Sequence, residues 1–301
     1  MKTYILAIAS CALLLGGADR FLSGADPFLS GADRFLSGAD LLGPRSAAAQ
    51  TPAASTYDRG QDISPTYDGW EQNADGTYSL YFGYFNRNAD EEIDVPIGPN
   101  NAFDGGTADR GQPTHFYPNR KWWVFSVVVP ANWPKEQRVT WTLITHGKTN
   151  QAKGWLQAEW EVDKDLIAKN AARDPSLMTN GTNETDLDHE NRPPVITGSR
   201  AQTVNASETL ALTVTANDDG HPKPIPDPTG HLQQGVRVRW IVYRGTGKVQ
   251  FTPDILNQRV YGKPATLDTK VRFSSPGAYR LRAIASDGQT FSTYDVDITV
   301  K

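Results

Sequence analysis

Two loops in the C-terminal half carry acids in a pattern suited to a hard cation, Asn217-Asp218-Asp219-Gly220 and Ser286-Asp287-Gly288. If the loops meet at one end of a fold, Asp218, Asp219 and Asp287 offer carboxylate oxygens with no thiolate beside them, the ligand chemistry of Ca2+. The competing reading is turn formation, for which Asp-Gly pairs are equally suited, and no EF-hand loop is present. Asp186, Asp188, His189 and Glu190 form a second oxygen-rich group. His221 and His231 flank a proline-rich stretch at a spacing outside the standard zinc patterns, which reads as solvated loop histidines. Beyond Ca2+, no cofactor is indicated.

Residues 98–120, GPNNAFDGGTADRGQPTHFYPNR, lack any apolar period. A loop of that length inside a domain is usually functional or disordered. Asp109, Arg110, Gln112 and Arg120 supply hydrogen-bonding groups beside His115, Phe116 and Tyr117, a mixture that suits a sugar or a peptide. The alternative is an ordered Ω-like loop packed across a sheet end, its Arg and Asp tying turns together. Seven of the eight tryptophans (Trp70, Trp122, Trp123, Trp133, Trp141, Trp155, Trp160) fall in the same half. Flat exposed indoles stack on sugars, whereas a sandwich without disulfides also needs large core residues. Adjacent Trp122 and Trp123 are expected on opposite faces of a strand, and Trp155 precedes an inward set starting at Leu156.

Catalytic motifs are absent: there is no Gly-x-Ser-x-Gly elbow, His-Glu-x-x-His pair, phosphate loop or dinucleotide fingerprint. Glu159 and Glu161 share the outward face of an expected strand, where a solvated face is the commoner meaning than an acid-base pair. The chain reads as a non-enzyme.

The elements that would position these groups are strands. Aromatic and β-branched runs with period-two alternation place them at 77–86, 92–96, 121–130, 138–146 and 155–163, after a polar lead-in over 51–65. One short helix is expected over 163–173. A polar stretch over 174–194, ending in Asn191-Arg192-Pro193-Pro194, reads as the junction. Beyond it, Leu210, Leu212, Val214 and Ala216, and then Val236, Val238, Trp240 and Val242, alternate with polar or outward residues. Further strands at 248–252, 266–273, 278–286 and 291–300, with a short one near Val195, give the strand number of a sandwich.

Pro193-Pro194-Val195-Ile196, the Asn217 to Gly220 loop, Trp240, Pro276-Gly277-Ala278-Tyr279-Arg280-Leu281 and Ser286-Asp287-Gly288 together resemble the immunoglobulin-like and PKD-like repeats of bacterial surface proteins. The resemblance implies that Trp240 fills the space between sheets and that the Tyr279 hydroxyl forms a corner by bonding nearby backbone. In the first half, Tyr81 to Asn86, Val95 to Asn101 and Arg110 to Thr114 resemble a module of exported bacterial proteins, a likeness that carries no function. The expected fold is all-β: two antiparallel β-sandwich domains in tandem, the second immunoglobulin-like, joined by a polar linker with a short helix. The expected division is 1–49 leader, 50–65 lead-in, 66–165 first module, 166–192 linker and 193–301 second module.

The leader reads as a secretory signal: Lys2 precedes an apolar run from Tyr4 to Leu15. That run is too short to span a bilayer, which takes about 20 helical residues. Tandem GADRFLS-type heptads over 17–40 follow, and Ala47 and Ala49 place the cut after Ala49. Ile8-Ala9-Ser10-Cys11 offers a competing lipoprotein box, with Cys11 lipidated. Cys11 is the only cysteine, so the mature chain has no disulfide. A net charge of -4 gives no basic excess for nucleic acid. The resulting expectation is an exported protein of the periplasm, cell surface or extracellular space. It would be a non-catalytic structural or binding component of the cell envelope, with another envelope protein or a surface polymer as partner and no membrane span. A carbohydrate-binding module acting through Trp122, Trp123 and Trp155, with a glycan as partner, is the alternative.

Overall fold

The structure is a computed structural model that describes residues 57–179, 187–224, 235–245 and 247–301. The leader with Cys11, the heptads and the cut after Ala49, together with Asp186 and His231, lie outside the described residues.

Eight strands build the first sandwich: β1 (Ile63–Gln72), β2 (Tyr78–Asn86), β3 (Ile93–Asp94), β4 (Asn101–Phe103), β5 (His115–Phe116), β6 (Asn119–Val129), β7 (Val139–Thr145) and β8 (Lys148–Gly154). They form the sheets β1-β2-β6 and β4-β7-β8 and the ribbon β3-β5, all antiparallel. Between them lies an aromatic core centred on fully buried Trp141, edge-on to Phe125 and stacked with Phe103. The Trp141 indole donates to Asn101 Oδ1 at 2.9 Å, and Asn101 Nδ2 in turn donates to the carbonyls of Val95 and Pro113. A buried polar group inside an aromatic core needs such partners.

Four strands of the first sandwich depart from the sequence expectation, β4 and β5 by lying within residues 98–120, read as a loop. β1 begins inside the stretch read as lead-in. The fifth strand is β8, whereas 155–163 is open chain with a 3-10 turn at Ala158–Trp160 that carries Glu159. β8 has no apolar alternation because its inward positions are small. A Cβ on Gly154 would stand 2.8 Å from Phe82 and 2.9 Å from Tyr67. The hairpin into β8 turns on His146 and Gly147, both left-handed at φ 47° and 72°, the conformation of a type I′ turn.

A double bulge shapes the β1-β2-β6 sheet. Asp68 is the extra residue of β1 opposite β2. Across β2, the single residue Gly83 faces three residues of β6, Trp122, Trp123 and Val124. With no side chain on Gly83, the Asp68 carboxylate crosses it to accept from Trp123 N at 2.9 Å and to pair with Arg120. Trp123 adopts φ 49° in this bulge, so strand alternation fails and both indoles fall on one side, their rings 5.5 Å apart.

After α1 (Lys164–Ala171), capped by Asp163, comes the second sandwich: β9 (Val195–Gly198), β10 (Gln202–Val204), β11 (Leu210–Asn217), β12 (Arg237–Arg244), β13 (Val249–Thr252), β14 (Ala265–Phe273), β15 (Gly277–Ser286) and β16 (Phe291–Val300). One sheet runs β9-β11-β14-β13 and the other β12-β15-β16-β10, with β10 parallel to β16. This is the immunoglobulin-like order, the opening strand divided between both sheets. The alternating residues of β11 and β12 are buried as expected, Trp240 among them. Tyr279, also buried, donates its hydroxyl to the Ser275 carbonyl at 2.8 Å, the corner that the resemblance implied. Among the described residues, the two sandwiches form one compact unit.

Gly83→Ala should lose about 3 kcal/mol of stability in urea denaturation. The added methyl overlaps the Lys121 carbonyl, the Asp68 carboxylate and the Arg120 guanidinium, combining overpacking with damage to a buried ion pair.

Candidate functional site

The site grows out of the joint between the sandwiches. On β12 the outward series Arg237, Arg239, Ile241, Tyr243 ends in two residues too apolar for a wet face. Tyr243 is 2% exposed and belongs to the aromatic core of the first sandwich. Its hydroxyl donates to the Gly111 carbonyl, and its ring carries the Arg282 guanidinium 3.5 Å from the centroid. Next to it, Arg244 forks onto Asp109 with two bonds of 2.8 and 2.9 Å and donates to the Gln112 carbonyl. The Tyr117 hydroxyl accepts from Val242 N at 2.9 Å. The long loop is thus the first module's half of the joint.

The linker covers a neighbouring part of the same seam. Ala171, Leu177 and Met178 pack with Trp123 and Ile284. Asp174, 1% exposed, accepts from Trp122 N at 3.2 Å and from Lys121 at 3.3 Å. A stretch whose polar composition read as a spacer therefore buries apolar side chains between the modules.

Where the sandwiches diverge, a cleft of about 830 Å³ remains. Tyr84, Tyr117, Trp122 and Trp123 line it from the first module, and Trp240, Tyr243, Phe251 and Phe291 from the second. The buried indole nitrogens of Trp123 and Trp240 have no hydrogen-bond acceptor. Charges of both signs rim it: Glu92, Asp94, Lys121, Arg239, Lys248 and Asp254. His115 sits among them, Nδ1 2.7 Å from Asp94 and Nε2 3.2 Å from Glu92. Burial of the ring opposes its charge, but the two carboxylates outweigh it and raise the pKa to about 9. His115 is therefore a cation at neutral pH, and a poor general base.

The structure brings His115, Tyr117, Trp122 and Trp123 together on the cleft and spends the other expected ligand groups elsewhere. Asp109 and Gln112 serve the joint. Arg110 donates to the Gly105 carbonyl, and Arg120 is paired with Asp68 and lies over the Trp122 ring at 3.9 Å. Phe116 is fully buried against Trp141. Trp155 stacks on Tyr67, carries Arg138 at 4.9 Å and lies outside the cleft, so Trp122, Trp123 and Trp155 form no common strip. Sequence reasoning missed Glu92, Asp94, Arg239, Tyr243 and Arg282. Apolar Ile241 and Tyr243 in the outward series of β12 were the available signal.

At the far end of the second sandwich, Asp218, Asp219 and Asp287 do not converge as a set. Both Asp219 oxygens are taken, accepting from Arg192 N at 3.2 Å and His221 N at 3.0 Å. Burial and the nearby Asp287 push Asp218 up to about 6. Beside them Asp188, Glu190 and His221 lie close enough to share an ion, with His221 Nδ1 2.6 Å from Asp188 and Nε2 3.9 Å from Glu190. The closest of these contacts is also an ordinary hydrogen bond between the His221 imidazole and the Asp188 carboxylate.

The geometry defines a two-sandwich protein with an immunoglobulin-like second module and a cleft between the two. No family model matches the chain, and no curated protein does. Among solved structures, it is similar to domains 4 and 5 of the S-layer protein SbsC at 10% identity, TM-score 0.24, spanning 36% of this chain and about half (51%) of that one. It is also similar to the D00-D0 domain of Intimin (12% identity, 79% and 100% covered, TM-score 0.23) and to Drosophila N-cadherin EC1-4 (10%, 80% and 51%, 0.25). TM-scores this low carry no argument about function, and the fold assignment rests on the strand order itself.

Tyr243→Ala should cost about 3–5 kcal/mol in urea denaturation, the range for truncating a buried large aromatic. His115 gives a pH dependence of known sign. Its folded pKa of about 9 lies above the ordinary 6.5, so its contribution is complete below pH 6.5 and is lost as the pH rises through 9. The urea midpoint of the wild type should fall across that window, and His115→Gln should flatten that part of the curve.

Proposed function

We propose that this chain is an exported, non-catalytic component of the cell envelope or surface that holds an extended segment of another envelope protein in the cleft between its modules. The observation that carries this reading is the cleft itself, walled by aromatic rings from both sandwiches and rimmed by charges of both signs. An extended peptide supplies apolar side chains for the rings and charges for the mixed rim. The leader supports export, and no helix among the described residues is long and apolar enough to cross a membrane. The PKD-like kinship of the second module belongs to the same proposal, resting on the residues that resemble it.

A glycan partner is the second reading, favoured by half-buried Trp122 on the cleft wall. A photo-crosslinking amino acid at Gln250, which is exposed on the cleft, tests the assignment in cells that export the protein. A discrete protein adduct is expected there, and none from the same group at exposed Asp268 outside the cleft. Adducts equal at both positions, or absent at Gln250, would overturn the peptide reading. Retention on a glycan column that is lost in Trp122→Ala would favour the sugar.

A further inference from the structure

We infer that the segment held in the cleft joins the second sandwich as an added strand, pairing edge to edge with β13 through the outward N–H and C=O groups of Val249 and Phe251. The inference rests on the peptide reading given above and names the contact that would hold the chain. β13 is the edge strand of its sheet, bonded to β14 alone among the described strands. Register and bonding fix which way its backbone groups point. Ser274 N donates to the Lys248 carbonyl at 3.0 Å, and the ladder then pairs Val249 with Phe273, Gln250 with Arg272, Phe251 with Val271 and Thr252 with Lys270. Antiparallel pairs alternate between bonded and unbonded. Lys248, Gln250 and Thr252 therefore bond β14, whereas Val249 and Phe251 turn their backbone groups away from it. Those groups meet no partner among the described residues.

A bare edge invites pairing, and short strands flanked by lysine or proline are a common protection. β13 has four residues between Lys248 and Pro253, so protection is the competing reading. What separates β13 from an ordinary protected edge is its place, because Val249, Gln250 and Phe251 line the cleft together with the aromatic wall of the first module. Amides of β12 and β6, also on the cleft, are engaged. Trp240 N donates to the Asp254 carbonyl at 2.7 Å, Val242 N to the Tyr117 hydroxyl at 2.9 Å and Trp122 N to Asp174 at 3.2 Å. Outward groups that recur every second residue, about 7 Å apart, match extended backbone and not a sugar ring. Val249 and Phe251 pack their side chains against the second core while Gln250 and Thr252 are exposed, so an added strand would continue a half-buried sheet. Lys248, exposed at the head of β13, makes no close ion pair among the described residues, although its charge reaches Glu92. An acidic residue of the incoming segment fits there.

The probe is the photo-crosslinking group at Gln250 in the full exported chain, combined with a second change. Val249→Pro removes one outward N–H without touching a bond to β14, and should lower the protein adduct at about the parent's urea midpoint by roughly tenfold or more. Val249→Ala keeps the N–H and should keep the adduct. Lys248→Glu should lower it by roughly threefold, and an unchanged yield would strike the acidic residue from the segment. In the purified adduct, hydrogen exchange over 247–252 should show the Val249 and Phe251 amides protected where the free chain leaves them open, a readout that stands even if Val249→Pro unfolds. An adduct retained in Val249→Pro, lost equally in Val249→Ala, or formed with no gain in protection would overturn strand addition and leave a peptide in the cleft. Absence of the adduct with the Gln250 group alone, or an adduct made of carbohydrate, would overturn both readings.

Discussion

Tyr243 belongs by chain position to the second sandwich and by burial to the core of the first, and most of what is distinctive here depends on that exchange. A tyrosine sunk in a neighbouring core, carrying a guanidinium on its ring and followed by an arginine forked onto Asp109, fixes one sandwich against the other. Apolar burial supplies the strength and the forked ion pair the geometry. A joint of this kind gives the cleft beside it a fixed shape.

The first sandwich prepares its half of that joint with buried polar knots. Asn101 ties Val95, Pro113 and Trp141 together, Gln112 holds Ala108, and Asp68 reaches over Gly83 to set the β6 bulge. Each satisfies backbone that a long loop would otherwise leave unpaired. The loop over 98–120 is ordered for this reason, and its polar residues are consumed in ordering it. The bulge turns Trp122 and Trp123 to one side, and with the linker they supply one wall of the cleft.

The cleft and the acidic end lie on opposite kinds of chemistry. Aromatic rings from both sandwiches line the first, with charges of both signs around them. Carboxylates that accept from turn backbone make up the second, Asp219 from Arg192 N and His221 N, and Asp287 from Gln289 N and Thr290 N. The linker touches both, packing Leu177 and Met178 near the cleft and Asn191 at the acids. It therefore joins the two places physically as well as in sequence.

The second sandwich was legible in the sequence because its β11 and β12 strands alternate cleanly between a core and an outer face, and because the Tyr279 corner is a local arrangement of neighbouring residues. The first was legible only in part. β1 is interrupted by a bulge, and β8 turns small residues inward because Tyr67 and Phe82 already fill the space. The expected ligand residues of the long loop were chosen for their polar and aromatic character, which binding sites and joints share. Chain order and residue type determined the strands of the second sandwich and the absence of recognised catalytic motifs. Only the tertiary structure decided which polar groups were already spent, because hydrogen bonds such as Arg244 to Asp109 and Arg120 to Asp68 connect residues distant in sequence, and no local pattern records them.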